Sequence, residues 1–230
     1  MNKVLIADDD TELTDMLAEY LGHEGFESDV ANDGKAASNM AMSNPYDIII
    51  LDVMMPHQNG FDVLRDLRKH TQVPVIMLTA RGEDVDSIVG LEIGADDYLT
   101  KPCNPRVLVA HMRAILRRAD STSLPAKDNI LIEGLDLQLG SRTVRYHNKP
   151  LTMTTTEFSI LEILMRNAGS IVSKQQLSEH ALGRDLSPYD RSLDMHISNL
   201  RKKLAYDTDS EELIKTIRGV GYQFVLPHHE

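Results

Sequence analysis

Short apolar runs that break off into acids or hydroxyls recur through the first half of the chain, each followed by a segment with helical spacing. The plainest is Ile48-Ile49-Ile50-Leu51, which stops at Asp52 and is followed by Pro56 and Gly60. Four consecutive aliphatic residues read as a strand buried on both faces. Proline cannot continue such a ladder, so Asp52 stands at the mouth of a loop. Lys3–Ala7 breaks in the same way into Asp8-Asp9-Asp10, Val75–Thr79 ends on a hydroxyl, and Tyr98–Thr100 precedes Lys101. Ser28–Ala31 supplies one more strand. Helices are predicted over Thr11–Leu21, Gly34–Asn44, the stripe Phe61, Leu64 and Leu67, the segment marked by Ile88 and Leu91, and Pro105–Arg118. Five βα units predict an α/β domain: a doubly wound, parallel, five-stranded sheet with helices on both faces, flavodoxin-like in strand order.

Past residue 119 the pattern changes. The polar stretch ADSTSLPAKDN, with its one proline, reads as a linker. Residues 1–119 are thus read as one domain, 120–129 as linker and 130–230 as a second domain. Ile130–Ile132, Leu135–Leu139, Thr143–Tyr146 and Leu151-Thr152 are short strands between turns, consistent with a small antiparallel sheet. Thr154 with Glu157, and Ser173 with Gln176, have the spacing of capping boxes, so helices open there, the second over about Lys174–Leu182. Ser187-Pro188 reads as N-cap and first residue of a third helix, the bulk of it about Tyr189–Leu204. Ile214–Ile217, Arg218-Gly219-Val220-Gly221 and Tyr222–Leu226 close the chain as a hairpin, giving a winged helix-turn-helix arrangement.

A length of 230 residues leaves room for two cores. The net charge of −11 argues against a nucleic-acid binder only until it is divided by position. Residues 1–119 hold 20 acids against 11 Lys and Arg, a net of −9, while residues 130–230 hold 13 against 12, a net of −1. One cysteine, Cys103, excludes an internal disulfide framework and fits a reducing cytoplasm. With no apolar run of membrane length and no basic-then-apolar N-terminus, neither a membrane span nor a signal peptide is expected, and the expected location is cytoplasmic.

Strand order 2-1-3-4-5 makes strands one and three neighbours at the switch point, which brings Asp8, Asp9 and Asp52 into one crevice. Thr79 and Lys101 end at the same edge of the sheet. Carboxylates so placed repel one another unless a cation intervenes, and an all-oxygen site suits Mg²⁺. Asp52 is a candidate nucleophile or metal ligand, and Lys101 could balance added anionic oxygens. In the second domain, 100° per residue puts Leu193, Ile197, Leu200 and Leu204 of the third helix on the core stripe. Arg191, Met195, Ser198, Asn199 and Lys202 lie opposite, with Arg201 and Lys203 on the flanks. Residues 191–203 carry four Lys and Arg and one acid. That face suits a DNA major groove; a solvated basic helix is the alternative.

The strings IADDD, IIILDVMMPHQNG, IMLTARG and GADDYLTKP resemble the receiver domain of bacterial two-component response regulators over residues 1 to about 119. The strings TTTEFSILEILMRNAGSIVSKQQL, DRSLDMHISNLRKKL and IKTIRGVGYQFV are similar to the winged-helix output domain of the OmpR/PhoB class over residues 130–226. The resemblance implies that Asp52 takes a phosphoryl group from a sensor histidine kinase, with Asp8, Asp9, Asp52 and the Met54 carbonyl placing Mg²⁺. It implies that the Thr79 hydroxyl and Lys101 bind the phosphoryl oxygens, and that Tyr98 is the aromatic that turns inward afterwards. For the second domain it implies a third helix in the major groove, Arg218 at the minor groove, and RNA polymerase contacts from the loop Gly183–Ser187. Within the class, DMHISNLRKKL is most similar to an envelope-stress regulator, which implies control of envelope-stress genes.

The family's dimer surface, on the fourth helix, fifth strand and fifth helix, is matched by Asp96, Asp97 and Arg113. Ser87, Val107 and His111 depart from it, which implies a weaker or differently built homodimer, one that His111 could make dependent on pH. Cys103 stands where the family has Phe, and reads as a small buried apolar residue. His228 and His229 read as a solvated tail. The expected protein is a phosphorylation-switched DNA-binding transcription regulator and not an enzyme. The rival is a Mg²⁺-dependent aspartyl-phosphate hydrolase. Such enzymes typically carry a second Asp two positions after the nucleophile as acid and base, and Met54 occupies that position. A regulator that binds DNA whether or not it is phosphorylated is a third reading.

Overall fold

The structure, a computed structural model, describes residues 1–80, 84–119, 129–186, 190–205 and 213–226, and only the backbone of 84–87. The chain divides into two compact units, Met1–Leu116 and Arg117–Glu230, each with a core of its own.

In the first unit, β1 (Asn2–Ala7), β2 (Phe26–Ala31), β3 (Ile48–Asp52), β4 (Val75–Thr79) and β5 (Asp97–Thr100) form a parallel sheet in the order β2-β1-β3-β4-β5. They alternate with α1 (Thr11–His23), α2 (Gly34–Ser43), α3 (Gly60–Leu67), α4 (Asp84–Ile93) and α5 (Pro105–Ala119). Every residue of β3 and β4 is buried, as expected of central parallel strands covered on both faces. Each aliphatic side chain so buried contributes about 1.5–3 kcal/mol. Val4, Ile6, Ile48, Ile50, Ile76 and Leu78 share one core with Leu17 and Leu21 of α1 and Leu108, Met112 and Ile115 of α5. Asp10, Asp33 and Asn59 cap α1, α2 and α3, each side chain accepting a backbone N–H of the first turn.

In the second unit, β6 (Ile130–Ile132), β7 (Leu135–Gln138), β8 (Thr143–Tyr146) and β9 (Lys149–Leu151) form an antiparallel sheet in chain order. Both capping boxes are formed: Thr154 opens α6 (Thr155–Arg166) and Ser173 opens α7 (Lys174–Leu177), which runs on through a π turn over Ser178–Leu182. The third helix, α8, begins at Ser192 and ends at Leu204. Asp190 and Arg191 lie outside it, and the expected cap Ser187-Pro188 falls outside the described residues. The Asp190 carboxylate instead accepts the Ser192 backbone N–H at 2.9 Å.

Beyond the expected hairpin of β11 (Ile214–Ile217) and β12 (Gly221–Phe224), Ile171–Ser173 forms the strand β10 and makes the wing a three-stranded sheet, β10-β12-β11. Gly221 allows this pairing, because a Cβ there would lie 2.0 Å from the Val172 carbonyl oxygen. Leu193, Ile197, Leu200 and Leu204 enter the core as the leucine stripe predicts, alongside Phe158, Leu161 and Leu164 of α6.

Candidate functional site

At the carboxyl edge of the parallel sheet, Asp8 follows β1, while Asp52 ends β3 and Thr79 ends β4; each is at most 3 % exposed. Ligand oxygens of Asp8, Asp9 and Asp52 lie within 4.8 Å of one another. The Lys101 ammonium, just past β5, bridges two of these acids, 2.6 Å from Asp8 Oδ2 and 2.6 Å from Asp52 Oδ1. Burial lifts the Asp52 carboxyl above the ordinary carboxylate range; Lys101 works against this, the charge of Asp8 adds to it, and the Met54 backbone N–H opposes it. Burial alone would lower the Lys101 pKa, but its two carboxylates outweigh that and raise it.

Local sequence explains the shape of the loop below Asp52. The Gly60 N–H donates to the Val53 carbonyl at 2.9 Å, and a Cβ at Gly60 would lie 2.0 Å from the Asp52 carbonyl oxygen. Only glycine lets α3 start so close to the strand end. Met54 is 62 % exposed at the mouth of the site. A cluster of three carboxylates beside one lysine ammonium fits a hard divalent ion: the donors are all oxygen, as suits Mg²⁺, and Asp9 is exposed to solvent. Tyr98 is half-buried on β5, and Cys103 is half-buried against the sheet core, its thiol pushed up by burial.

The residues expected at the dimer surface have partners within the chain. Asp96 is 1 % exposed, and its Oδ2 accepts the Val75 N–H at 3.1 Å and the Arg68 guanidinium at 3.3 Å. Asp97 is equally buried, held by His111 Nδ1 at 2.8 Å, and Arg113 pairs with Glu24 at 2.7 Å. Asp96 therefore ties the start of β5 to the start of β4 and to Arg68 after α3, and Asp97 and Arg113 have partners within their own unit. Val107 is 44 % exposed; the Ser87 side chain lies outside the described residues.

Arg191, just before α8, and Lys202 on it are exposed, and Met195 and Ser198 of α8 are half-buried. Asn199, expected beside them, is buried at 6 % exposure. The buried arc of the helix also takes in Ser192 and His196, so it is wider than the leucine stripe and reaches Asn199. The flanking cations are engaged within the unit. Arg201 donates to the Ile214 carbonyl at 2.7 and 3.0 Å and to Thr216 Oγ1 at 2.8 Å, and Lys203 pairs with Glu157 at 2.5 Å. Arg218 is exposed in the wing turn, next to Gly219 at φ 74°. In the loop after the π turn, Gly183 is left-handed and the Ser178 hydroxyl donates to the Arg184 carbonyl at 2.6 Å; Ser187 lies outside the described residues.

Sequence reasoning missed one cluster. Asp194, in the first turn of α8, accepts Lys174 at 2.6 Å and the Tyr222 hydroxyl at 2.5 Å, joining α7, α8 and β12. The three residues are scattered along the chain, and no motif signals their meeting.

Residues 4–113 match the response regulator receiver domain family, and residues 148–224 match the family of transcriptional regulatory protein C-terminal domains. Over 230 residues the chain is 46 % identical to the transcriptional regulatory protein CpxR of Klebsiella pneumoniae, spanning 98 % of this chain and 99 % of that protein. It is 41 % identical over 225 residues to the sensory transduction protein RegX3 of Mycolicibacterium smegmatis, spanning 97 % and 99 %. Among solved structures, the OmpR/PhoB homologue DrrB of Thermotoga maritima superposes with a TM-score of 0.52 at 31 % identity, covering 98 % of this chain and 99 % of that one. The chain therefore belongs to the OmpR/PhoB class of response regulators, transcriptional regulators in which a receiver domain is followed by a winged-helix DNA-binding domain.

Proposed function

We propose that Asp52 is the phosphoacceptor of this regulator and that its phosphorylation by a sensor histidine kinase promotes a homodimer with higher affinity for specific double-stranded DNA. The observation that carries the reading is the pairing of a buried Asp52 with Lys101 in a crevice shared with Asp8 and Asp9. In the reaction an Asp52 carboxylate oxygen attacks the phosphorus of a phosphohistidine. The new P–O bond forms as the P–N bond breaks, and the imidazole leaves. Lys101 stays beside the transferred group and neutralises its oxygens, and the Thr79 hydroxyl at the end of β4 donates to one of them. Asp8, Asp9, Asp52 and the Met54 carbonyl would hold Mg²⁺, which when bound supplies neutralisation of the phosphoryl charge. Phosphorylation adds about −1.5 to −2 charges at Asp52. Thr79 moves toward them, and Tyr98 follows into the space behind, changing the surface of β5 and α5.

In the second unit Arg191, Met195, Ser198 and Lys202 face the major groove, Arg201 borders it, and Arg218 reaches the minor groove. The loop from Gly183 contacts RNA polymerase. Likeness of DMHISNLRKKL to an envelope-stress regulator supports envelope-stress genes as targets. No described helix is long and apolar enough to cross a membrane, and we place the protein in the cytoplasm.

The test is DNA affinity on a genomic fragment library at fixed salt, for wild type and Asp52→Ala, each with acetyl phosphate and Mg²⁺. The donor is expected to tighten specific binding at least tenfold in wild type and not in the variant. Equal tight binding by both would favour the second reading, a regulator indifferent to phosphorylation. The internal pairing of Asp96, Asp97 and Arg113 is what keeps that reading alive.

A further inference from the structure

Two lysines end the recognition helix side by side, in different surroundings. Lys202 is exposed, whereas the half-buried Lys203 has its ammonium 2.5 Å from Glu157 Oε2 in the first turn of α6, 46 residues earlier in the chain. Glu157 is 1 % exposed. The same Oε2 accepts the Thr154 backbone N–H at 2.8 Å to close the capping box, while Oε1 is buried without a hydrogen bond. A carboxylate so enclosed depends on its counter-charge, because water cannot replace it. The charge of Lys203 is therefore committed inside the domain, and a DNA phosphate would have to compete with a buried acid for it.

The pair also bears on the angle of the helix. Directional contacts tie α8 to its neighbours: Asp194 to Lys174 and Tyr222, Arg201 to Ile214 and Thr216, and Lys203 to Glu157, of which the last reaches the first turn of α6. Lys203 sits on the flank of the leucine stripe, where a rotation carries its ammonium directly off Glu157. A rotation of about 20° moves a side-chain tip about 5 Å from the axis by about 2 Å. That exceeds what a hydrogen bond to a base edge tolerates.

Resting on the DNA interface described above, we propose that Glu157 and Lys203 form an ionic latch that sets the rotation of the recognition helix, so that both are positioning residues for sequence discrimination and Lys203 is not a phosphate contact. The latch acts through Met195, Ser198 and Lys202, whose tips it holds in register with the bases. Backbone-phosphate binding, which tolerates small rotations, does not depend on it.

The experiment uses the full chain with acetyl phosphate and Mg²⁺, titrated by fluorescence anisotropy onto a duplex selected from genomic fragments and onto a scrambled duplex, at several salt concentrations. Lys203→Met is expected to weaken binding to the selected duplex about tenfold, the size of one mismatched base pair, while leaving the scrambled duplex and the salt slope unchanged. Lys203→Arg restores discrimination, and Glu157→Gln, which keeps the shape of the buried side chain, reproduces the loss. Lys202→Met serves as the contrast: it weakens both duplexes and lowers the salt slope by about one. The proposal is overturned if Lys203→Met lowers the salt slope as Lys202→Met does, since Lys203 then touches phosphate. It is also overturned if binding to both duplexes falls in proportion to unfolded protein, or if neither changes. Should Lys203→Met not fold, Glu157→Gln decides by the same ratio. Failure of the wild type to distinguish the two duplexes would instead remove the DNA interface itself, and the latch with it.

Discussion

At Asp194 three effects compete, and the structure shows which wins. Burial pushes this carboxyl up, but the Lys174 ammonium and the Tyr222 hydroxyl pull it down further, and its pKa falls below the ordinary carboxylate value. A depressed acid stabilises the fold above its unfolded value, about 3.9, and that stabilisation is lost as the pH falls through the lower folded value. The side chain is 34 % exposed, so the contribution after solvent screening is of order 1 kcal/mol or less. Asp194→Asn is therefore expected to melt slightly below wild type at pH 7 and to lose less stability between pH 5 and pH 2. Thermal melts across that range check it; parallel acid limbs would show that Asp194 carries no linkage. In sequence Asp194 is only the one acid among four Lys and Arg over residues 191–203. Its two partners lie 20 residues before and 28 residues after it, a pairing that only the folded chain specifies. The same holds for Lys203, whose partner Glu157 lies 46 residues away in the chain.

Elements were legible where a local rule had no competitor. The aliphatic runs of β3 and β4 read as strands because they are short, carry β-branched residues and break off into polar residues, and Thr154 with Glu157 opens a helix because both halves of its capping box close. The strand β10 was not legible. Ile171–Ser173 has three residues, too few to show alternation, and its pairing depends on Gly221 far along the chain. The placement of Asn199 failed for a related reason: a leucine stripe gives the direction of a helix's buried face but not its width, which depends on how closely its neighbours approach. Gly60 is the element-scale residue with the sharpest consequence. Alanine there would put a methyl group 2.0 Å from the Asp52 carbonyl oxygen, so the strand end or the start of α3 must shift. Gly60→Ala is expected to cost about 2 kcal/mol or more in urea unfolding. It is also expected to slow acetyl-phosphate labelling of Asp52 at least tenfold, since displacing a reacting group by 1 Å is enough for a larger loss. Labelling at the wild-type rate in a folded variant would mean that this loop does not set the position of Asp52.

Charge divides the whole molecule as the fold does. The receiver residues 1–119 carry a net −9, and the DNA-binding residues 130–230 only −1. On the proposed reading, a chain that repels DNA through half its length binds as a dimer, which doubles the groove contacts and lets a phosphoryl group act through association. With acetyl phosphate and Mg²⁺, sedimentation is expected to shift the mass from 25.8 kDa to about twice that value. The contact surface would be ionic, because phosphorylation acts next to β5, where Asp97 and His111 now pair with each other and Arg113 pairs with Glu24. Salt at 1 M, where the Debye length is about 3 Å, is expected to weaken the phosphorylated dimer relative to 0.15 M. A dimer indifferent to salt would place the contact on apolar surface, of which Val107 on α5 is an exposed example. If the mass stays at the monomer value while operator affinity still rises, phosphorylation acts within the single chain, and the pairs at Asp97 and Arg113 have no need to open.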